Sequence, residues 1–181
     1  MKKEMTIRAA IPTDFETIYA IWLEGIEKSF AGFAHPSDLR EQFHHNFAAC
    51  RAPFGFWVAE GAGQLLGWQS LLPCTSNPLK RNMLAEASTY VTAADRSTGV
   101  GHALLQRAQA EASAHGLRFI LAYTMTANTR VGQLYQRCGF QPTGRLTTSE
   151  PDTFYAERLL WFYAVPLVWS APPQPLFATA L

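Results

Sequence analysis

The chain has 181 residues, 48% of them hydrophobic and 16% charged, with a formal net charge of +1. This length accommodates one domain with a full core, and the near-neutral balance gives no electrostatic basis for a nucleic-acid partner. Cys50, Cys74 and Cys138 are odd in number and far apart, which argues against a disulfide framework and fits a reducing cytoplasm.

His44 and His45 are adjacent and diverge on a helix, so no metal site is expected. The first ten residues, MKKEMTIRAA, lack the apolar run of a signal peptide. The longest apolar stretch, 159–169, contains Pro166 and is too short to span a bilayer. A soluble, cytosolic protein with no membrane partner is expected.

Residues 5–9 alternate as a first strand, and Ile11-Pro12 breaks it. Thr13-Asp14-Phe15-Glu16 has the form of a capping box, followed by Ile18, Ile21, Trp22 and Ile26 at helical spacing. A loop through Gly32 and Pro36 leads to a second helix from Asp38 to about Cys50, with Leu39, Phe43 and Phe47 on its apolar face. Strands at 56–60 and 64–72 flank the hairpin loop Gly61-Ala62-Gly63, and a polar loop at 73–82 precedes a strand at 85–92.

A helix is expected over 99–115, with Leu104, Leu105, Ala108 and Ala112 on one face and Gly116 as its stop. The run FILAYT at 119–124 is almost continuously apolar, as in a strand covered on both faces. Asn128 can cap a further helix carrying Val131, Leu134, Tyr135 and Cys138, ended by Gly139. Strands from Phe140 and over 156–165 follow. The order β-α-α-β-β-β-α-β-α-β-β predicts a mixed α/β sheet with helices on both faces, in one domain over 5–169. The remaining 170–181, with Pro172, Pro173 and Pro175, reads as an extended tail.

The stretch Arg96-Ser97-Thr98-Gly99-Val100-Gly101 sits where strand passes to helix. Glycines there let backbone N–H groups approach an anion, and the helix N-terminus adds partial positive charge. Position 104 is Leu rather than a third glycine, and no Gly-Lys-Ser/Thr occurs, so dinucleotide and nucleoside-triphosphate loops are both poorly matched.

Two blocks carry a resemblance. EASTYVTAADRSTGVG at 86–101 resembles the Arg/Gln-x-x-Gly-x-Gly/Ala acetyl-CoA motif of the GNAT N-acetyltransferase family, and Asn128 to Phe140 resembles that family's Asn-x-x-small-x-x-Leu-Tyr-x-x-x-Gly-Phe signature. Glu86-Ala-Ser-Thr-Tyr-Val91 is similar to the phosphinothricin and amino-acid acetyltransferase subgroup, which often has Leu-His where this chain has Leu134-Tyr135. The resemblance implies a mostly antiparallel sheet with a splayed pair of parallel strands, acetyl-CoA as donor, a small-molecule amine as acceptor and a homodimer.

It also implies roles. Tyr90, Val91 and Thr92 would pair with the pantetheine arm, and Arg96, Ser97, Thr98, Gly99, Val100, Gly101 and His102 would hold the pyrophosphate. Asn128 would orient the arm, though it could also be a plain helix cap. Glu86 would be the base that deprotonates the amine, or else a solvated strand-end carboxylate. Tyr135 would protonate the thiolate, or else pack in the core. Phe30, Phe33 and Trp68 could wall a substrate pocket and Arg81 could pair with a substrate anion; core packing or solvated surface suits each as well. A peptide acetyltransferase and a non-catalytic acyl-CoA-binding module are the competing functions.

Overall fold

The computed structural model describes residues 5–29, 36–77, 79–125, 128–146 and 160–167. Phe30, Phe33 and the tail at 170–181 lie outside them. The elements run β1 (Thr6–Ala9), α1 (Phe15–Ser29), α2 (Leu39–Ala49), β2 (Gly55–Gly61), β3 (Gln64–Pro73), β4 (Leu84–Val91), α3 (Val100–Ala114), β5 (Phe119–Met125), α4 (Thr129–Arg137), β6 (Gln141–Leu146) and β7 (Leu160–Pro166). This is the element order expected from periodicity.

Among the described residues the strands form one sheet, ordered β1-β2-β3-β4-β5-β7-β6. Every neighbouring pair is antiparallel except β4 and β5. The fold is therefore mixed α/β, with helices on both faces. Period-two alternation divides the side chains of each strand between two cores. On one face Trp57, Ala59, Ala85, Ala87, Ile120 and Ala122 pack with Leu104, Leu105, Ala108 and Ala112 of α3. On the other, Phe56, Val58 and Trp68 pack with Ile18 and Ile21 of α1 and with Phe43 and Phe47 of α2. Ala108 and Ala112 are fully buried, and their small side chains bring α3 close to the sheet.

Two expectations need correction. Strand β5 is not covered on both faces: Ile120, Ala122 and Thr124 are buried, but Phe119 and Tyr123 are 45% and 44% exposed. Helices α3 and α4 cover one side, so the apolar run conceals an alternation. The capping box at the start of α1 is set two residues earlier than Thr13-x-x-Glu16: Ile11 is the N-cap and Asp14 takes the role expected of Glu16. Its carboxylate accepts the Ile11 N–H at 2.8 Å and the Arg8 guanidinium at 2.7 and 3.0 Å. Arg8 Nε also donates to Glu60 Oε2 at 2.8 Å. One guanidinium thus ties β1 to the end of β2 and to the turn that launches α1.

The Arg8 hydrogen bond, opposed in part by burial, holds the Asp14 carboxyl below its usual pKa. A depressed carboxylate contributes stability above its unfolded pKa, about 3.9, and that contribution is lost as pH falls through the folded value. Asp14→Asn is expected to lower the unfolding free energy at pH 7 by about 1–2 kcal/mol, a figure kept small because Arg8 remains open to water. Denaturant melts should show the difference narrowing below about pH 4. A difference that persists undiminished in acid would mean that the charge is not its source.

Candidate active site

Strands β4 and β5 pair only over Leu84–Glu86 and Phe119–Leu121. Beyond that point β5 continues with β7, while β4 continues with β3. The Thr92 N–H donates to Leu66 O at 3.0 Å, which by alternation turns the even-numbered backbone groups of β4 toward β3. The last register pair, Glu86 with Leu121, uses the Ala87 N–H, so the Ala87 carbonyl and the backbone groups of Thr89 and Val91 are the ones that face the parting, where no strand among the described residues meets them. The resulting cleft encloses about 90 Å³ and is lined by Ser88, Tyr90, Tyr123, Thr124, Asn128 and Tyr135 among others.

Helix α4 closes the bottom of the cleft. Asn128 Oδ1 accepts the Val131 N–H at 3.3 Å, so Asn128 caps α4 and lines the cleft at once. Leu134 lies so close to Gly101 of α3 that a Cβ there would sit 3.0 Å from it. Tyr135 is 3% exposed, with its ring centroid 5.3 Å from those of both Phe140 and Tyr163.

The turn between β4 and α3 is braced from inside. Asp95 is buried: its Oδ2 accepts from Thr92 Oγ1 at 2.9 Å, and its carbonyl accepts from Thr98 Oγ1 at 2.6 Å. Sequence reading missed this residue, although Thr92-x-x-Asp95 is a readable capping pattern. Ser97 and Gly99 adopt positive φ, 72° and 96°. The first helical bond of α3 is Ala103 N–H to Gly99 O at 3.0 Å, so the N–H groups of Val100, Gly101 and His102 have no acceptor within the helix. This open N-terminal turn beside the cleft fits a pyrophosphate. Arg96 currently faces elsewhere: its Nε donates to Val91 O at 3.4 Å and its guanidinium lies 3.8 Å from Glu24 of α1.

Glu86, Ser88 and Tyr90 point toward the α1 face of the sheet, as their pairing with Leu72, Ser70 and Trp68 requires. Burial raises the Glu86 pKa, and a hydrogen bond with Tyr123 partly offsets the shift. Tyr90 stacks on Trp68 at 4.9 Å and presses against α1 where a Cβ on Gly25 would come within 2.5 Å of its ring. Burial pushes the Tyr90 hydroxyl up to about 12. Burial is also the main cause of the raised Tyr135 pKa, with the nearby Tyr90, Tyr123 and Glu86 adding to it. Tyr135 is thus a protonated phenol at neutral pH, within electrostatic reach of Glu86.

The structure brings Tyr90, Asn128 and Tyr135 to the cleft, with Glu86 within electrostatic reach of both tyrosines, and sets Gly101 of the turn beside Thr89, Val91 and Leu134. It does not bring Trp68 to a surface. Trp68 is 1% exposed and boxed in by Phe43, Phe56 and Tyr90, which leaves no area for a substrate to touch. Arg81 stands on an exposed turn, its N–H bonded to Asn77 O at 2.8 Å. Phe30 and Phe33 are outside the described residues. No helix among the described residues is long and apolar enough to cross a membrane.

A sequence profile of the Acetyltransferase (GNAT) family matches residues 17–140, and the chain belongs to that family, whose acetyl donor is acetyl-CoA. N-acetyltransferase family 8 member 2 of Rattus norvegicus is 30% identical over 115 residues, covering 63% of this chain and 51% of the relative. The chain spans about half the length, or less, of the first curated relatives it matches. Among solved structures, a candidate phosphinothricin N-acetyltransferase superposes with a TM-score of 0.77 at 27% identity, covering 91% of this chain and 99% of that one. The phosphinothricin acetyltransferase of Sinorhizobium meliloti, solved with acetyl-CoA, has a TM-score of 0.76 at 21% identity and covers 100% and 98%; that likeness is one of fold.

Gly99 at a φ of 96° occupies a conformation that L-residues resist, at a cost of about 1–2 kcal/mol. Gly99→Ala is expected to raise the calorimetric Kd for acetyl-CoA about tenfold, because the turn must relax away from the shape that presents its N–H groups. An unchanged Kd would remove this turn from the binding site.

Proposed function

We propose that the chain transfers the acetyl group of acetyl-CoA directly to the primary amine of a small molecule, an amino acid or an analogue such as phosphinothricin or methionine sulfone. The observation that carries the reading is the half-buried Glu86 at the fork of β4 and β5, where a polar strand edge opens beside an unclaimed helix N-terminus. The likeness to the 27%-identical candidate phosphinothricin N-acetyltransferase supports the choice of acceptor.

Bound acetyl-CoA supplies the thioester. The strand edge at Ala87, Thr89 and Val91 offers donors and acceptors to an extended amide-bearing arm, as an added strand would. The Val91 N–H is the donor for charge developing on the carbonyl oxygen. An alkylamine is mostly protonated at pH 7, so the Glu86 carboxylate must take its proton, directly or through a water. Tyr135 Oη holds a proton that a leaving thiolate can take. Burial pushes the Cys74 thiol up to about 11 and raises Cys138 as well, so neither is a ready nucleophile. This favours direct transfer over a covalent acyl-enzyme. The reading extends to a single acetyltransferase domain over 5–169, in a cytoplasmic homodimer.

The first assay is thiol release from acetyl-CoA across amino acids, phosphinothricin, methionine sulfone, polyamines and short peptides. Glu86→Gln is expected to lower kcat at least about 100-fold, with the Kd for acetyl-CoA within about twofold of the parent. The base acts only when ionised, so kcat/KM should fall as pH drops through a pKa above the ordinary glutamate value of about 4.3. Equal losses of turnover and cofactor affinity would remove Glu86 from the role of base. Tyr135→Phe should lower kcat about tenfold or more at an unchanged melting temperature; unaltered kinetics would make Tyr135 a packing residue.

A further inference from the structure

Glu86 stands opposite Leu121 in the last register of the parallel pair, and Tyr123 is two residues further along β5 on the same face. The strands separate beyond that register, so a short side chain at 123 would be carried away from Glu86 as β5 diverges. Tyrosine is long enough to cross the widening gap. Tyr123 is 44% exposed and lines the cleft beside Ser88 and Tyr90.

We propose that Tyr123 is the positioning residue of the catalytic base: from its place on β5 its hydroxyl reaches the Glu86 carboxylate across the mouth of the gap and holds it toward the incoming amine. The inference rests on the reading of Glu86 as base. Other titratable groups that feel the Glu86 charge are Cys74 just after β3, Tyr90 on β4 and Tyr135 on α4. Of the groups named here, Tyr123 alone opposes the upward push of burial on Glu86, because a hydrogen bond to the ionised form favours that form. Tyr123 thereby keeps a half-buried base ionised, and able to accept a proton, at a lower pH than burial alone would permit.

The test follows the carboxyl carbon of Glu86 by NMR titration of glutamate-labelled protein, with Glu86→Gln identifying the signal. Alongside it, the pH dependence of thiol release is measured with phosphinothricin as acceptor. Tyr123→Phe, a change at a half-open position, is expected to raise the Glu86 pKa by about 0.5–1 unit and move the acidic limb of kcat/KM upward with it. The Kd for acetyl-CoA should stay within about twofold, because no hydroxyl of the pyrophosphate turn is altered. An unmoved Glu86 titration in Tyr123→Phe would overturn the proposal whatever the activity. An acidic limb that survives in Glu86→Gln would instead overturn the base reading, even where the titration moves.

Discussion

The site depends on the parting of two strands. Parallel strands normally stay paired along their length, because each N–H and C=O left unmatched in a protein interior carries a free-energy cost. Here β4 and β5 share three register positions and then diverge. The edge of β4 beyond Glu86 is polar and unpaired by any strand among the described residues, with Arg96 reaching its Val91 carbonyl, and α4 rather than another strand fills the space beneath it. A peptide-like ligand can satisfy that edge with strand geometry at little cost in reorganisation, which is what a pantetheine arm offers.

The remaining packing holds the parting open. Tyr135, wedged among Phe140 and Tyr163, fixes α4 against β7. Gly101 allows Leu134 of α4 to rest on the first turn of α3, so the two helices below the gap pack directly on each other. On the opposite face Gly25 admits the Tyr90 ring, and the Trp68–Tyr90 stack keeps β3 and β4 flush while β5 leaves. Period-two alternation then separates the tasks: odd positions of β4 anchor the strand on α3, and even positions carry Glu86 and Ser88 toward the acceptor side.

Periodicity made the element order legible, because each helix carries its own apolar stripe and Gly63, Gly116 and Gly139 mark turns with positive φ. The two motif blocks were legible for the same reason: Gly99, Gly101 and Asn128 do local work that local sequence displays. What could not be read depends on partners distant in the chain. Arg8 finds Asp14 nearby but Glu60 only through the pairing of β1 with β2. Trp68 looked like a pocket wall because an aromatic in a strand gives no sign of which face α1 and α2 will cover. The apolar run of β5 disguised its alternation, and with it Tyr123, whose relation to Glu86 exists only in the parallel register. Asp95 was readable from its capping spacing and was hidden by attention to the glycines after it.

The central claim is that the open edge of β4 and the first turn of α3 together receive the donor. Amide hydrogen exchange with and without acetyl-CoA tests it residue by residue. The account predicts new protection at Thr89 and Val91 and at Val100 to His102, with little change at Glu86, Ser88 and Tyr90, whose N–H groups already face β3, and at Ala87, whose N–H already faces Leu121. Protection confined to other segments, or spread evenly along both edges of β4, would contradict it.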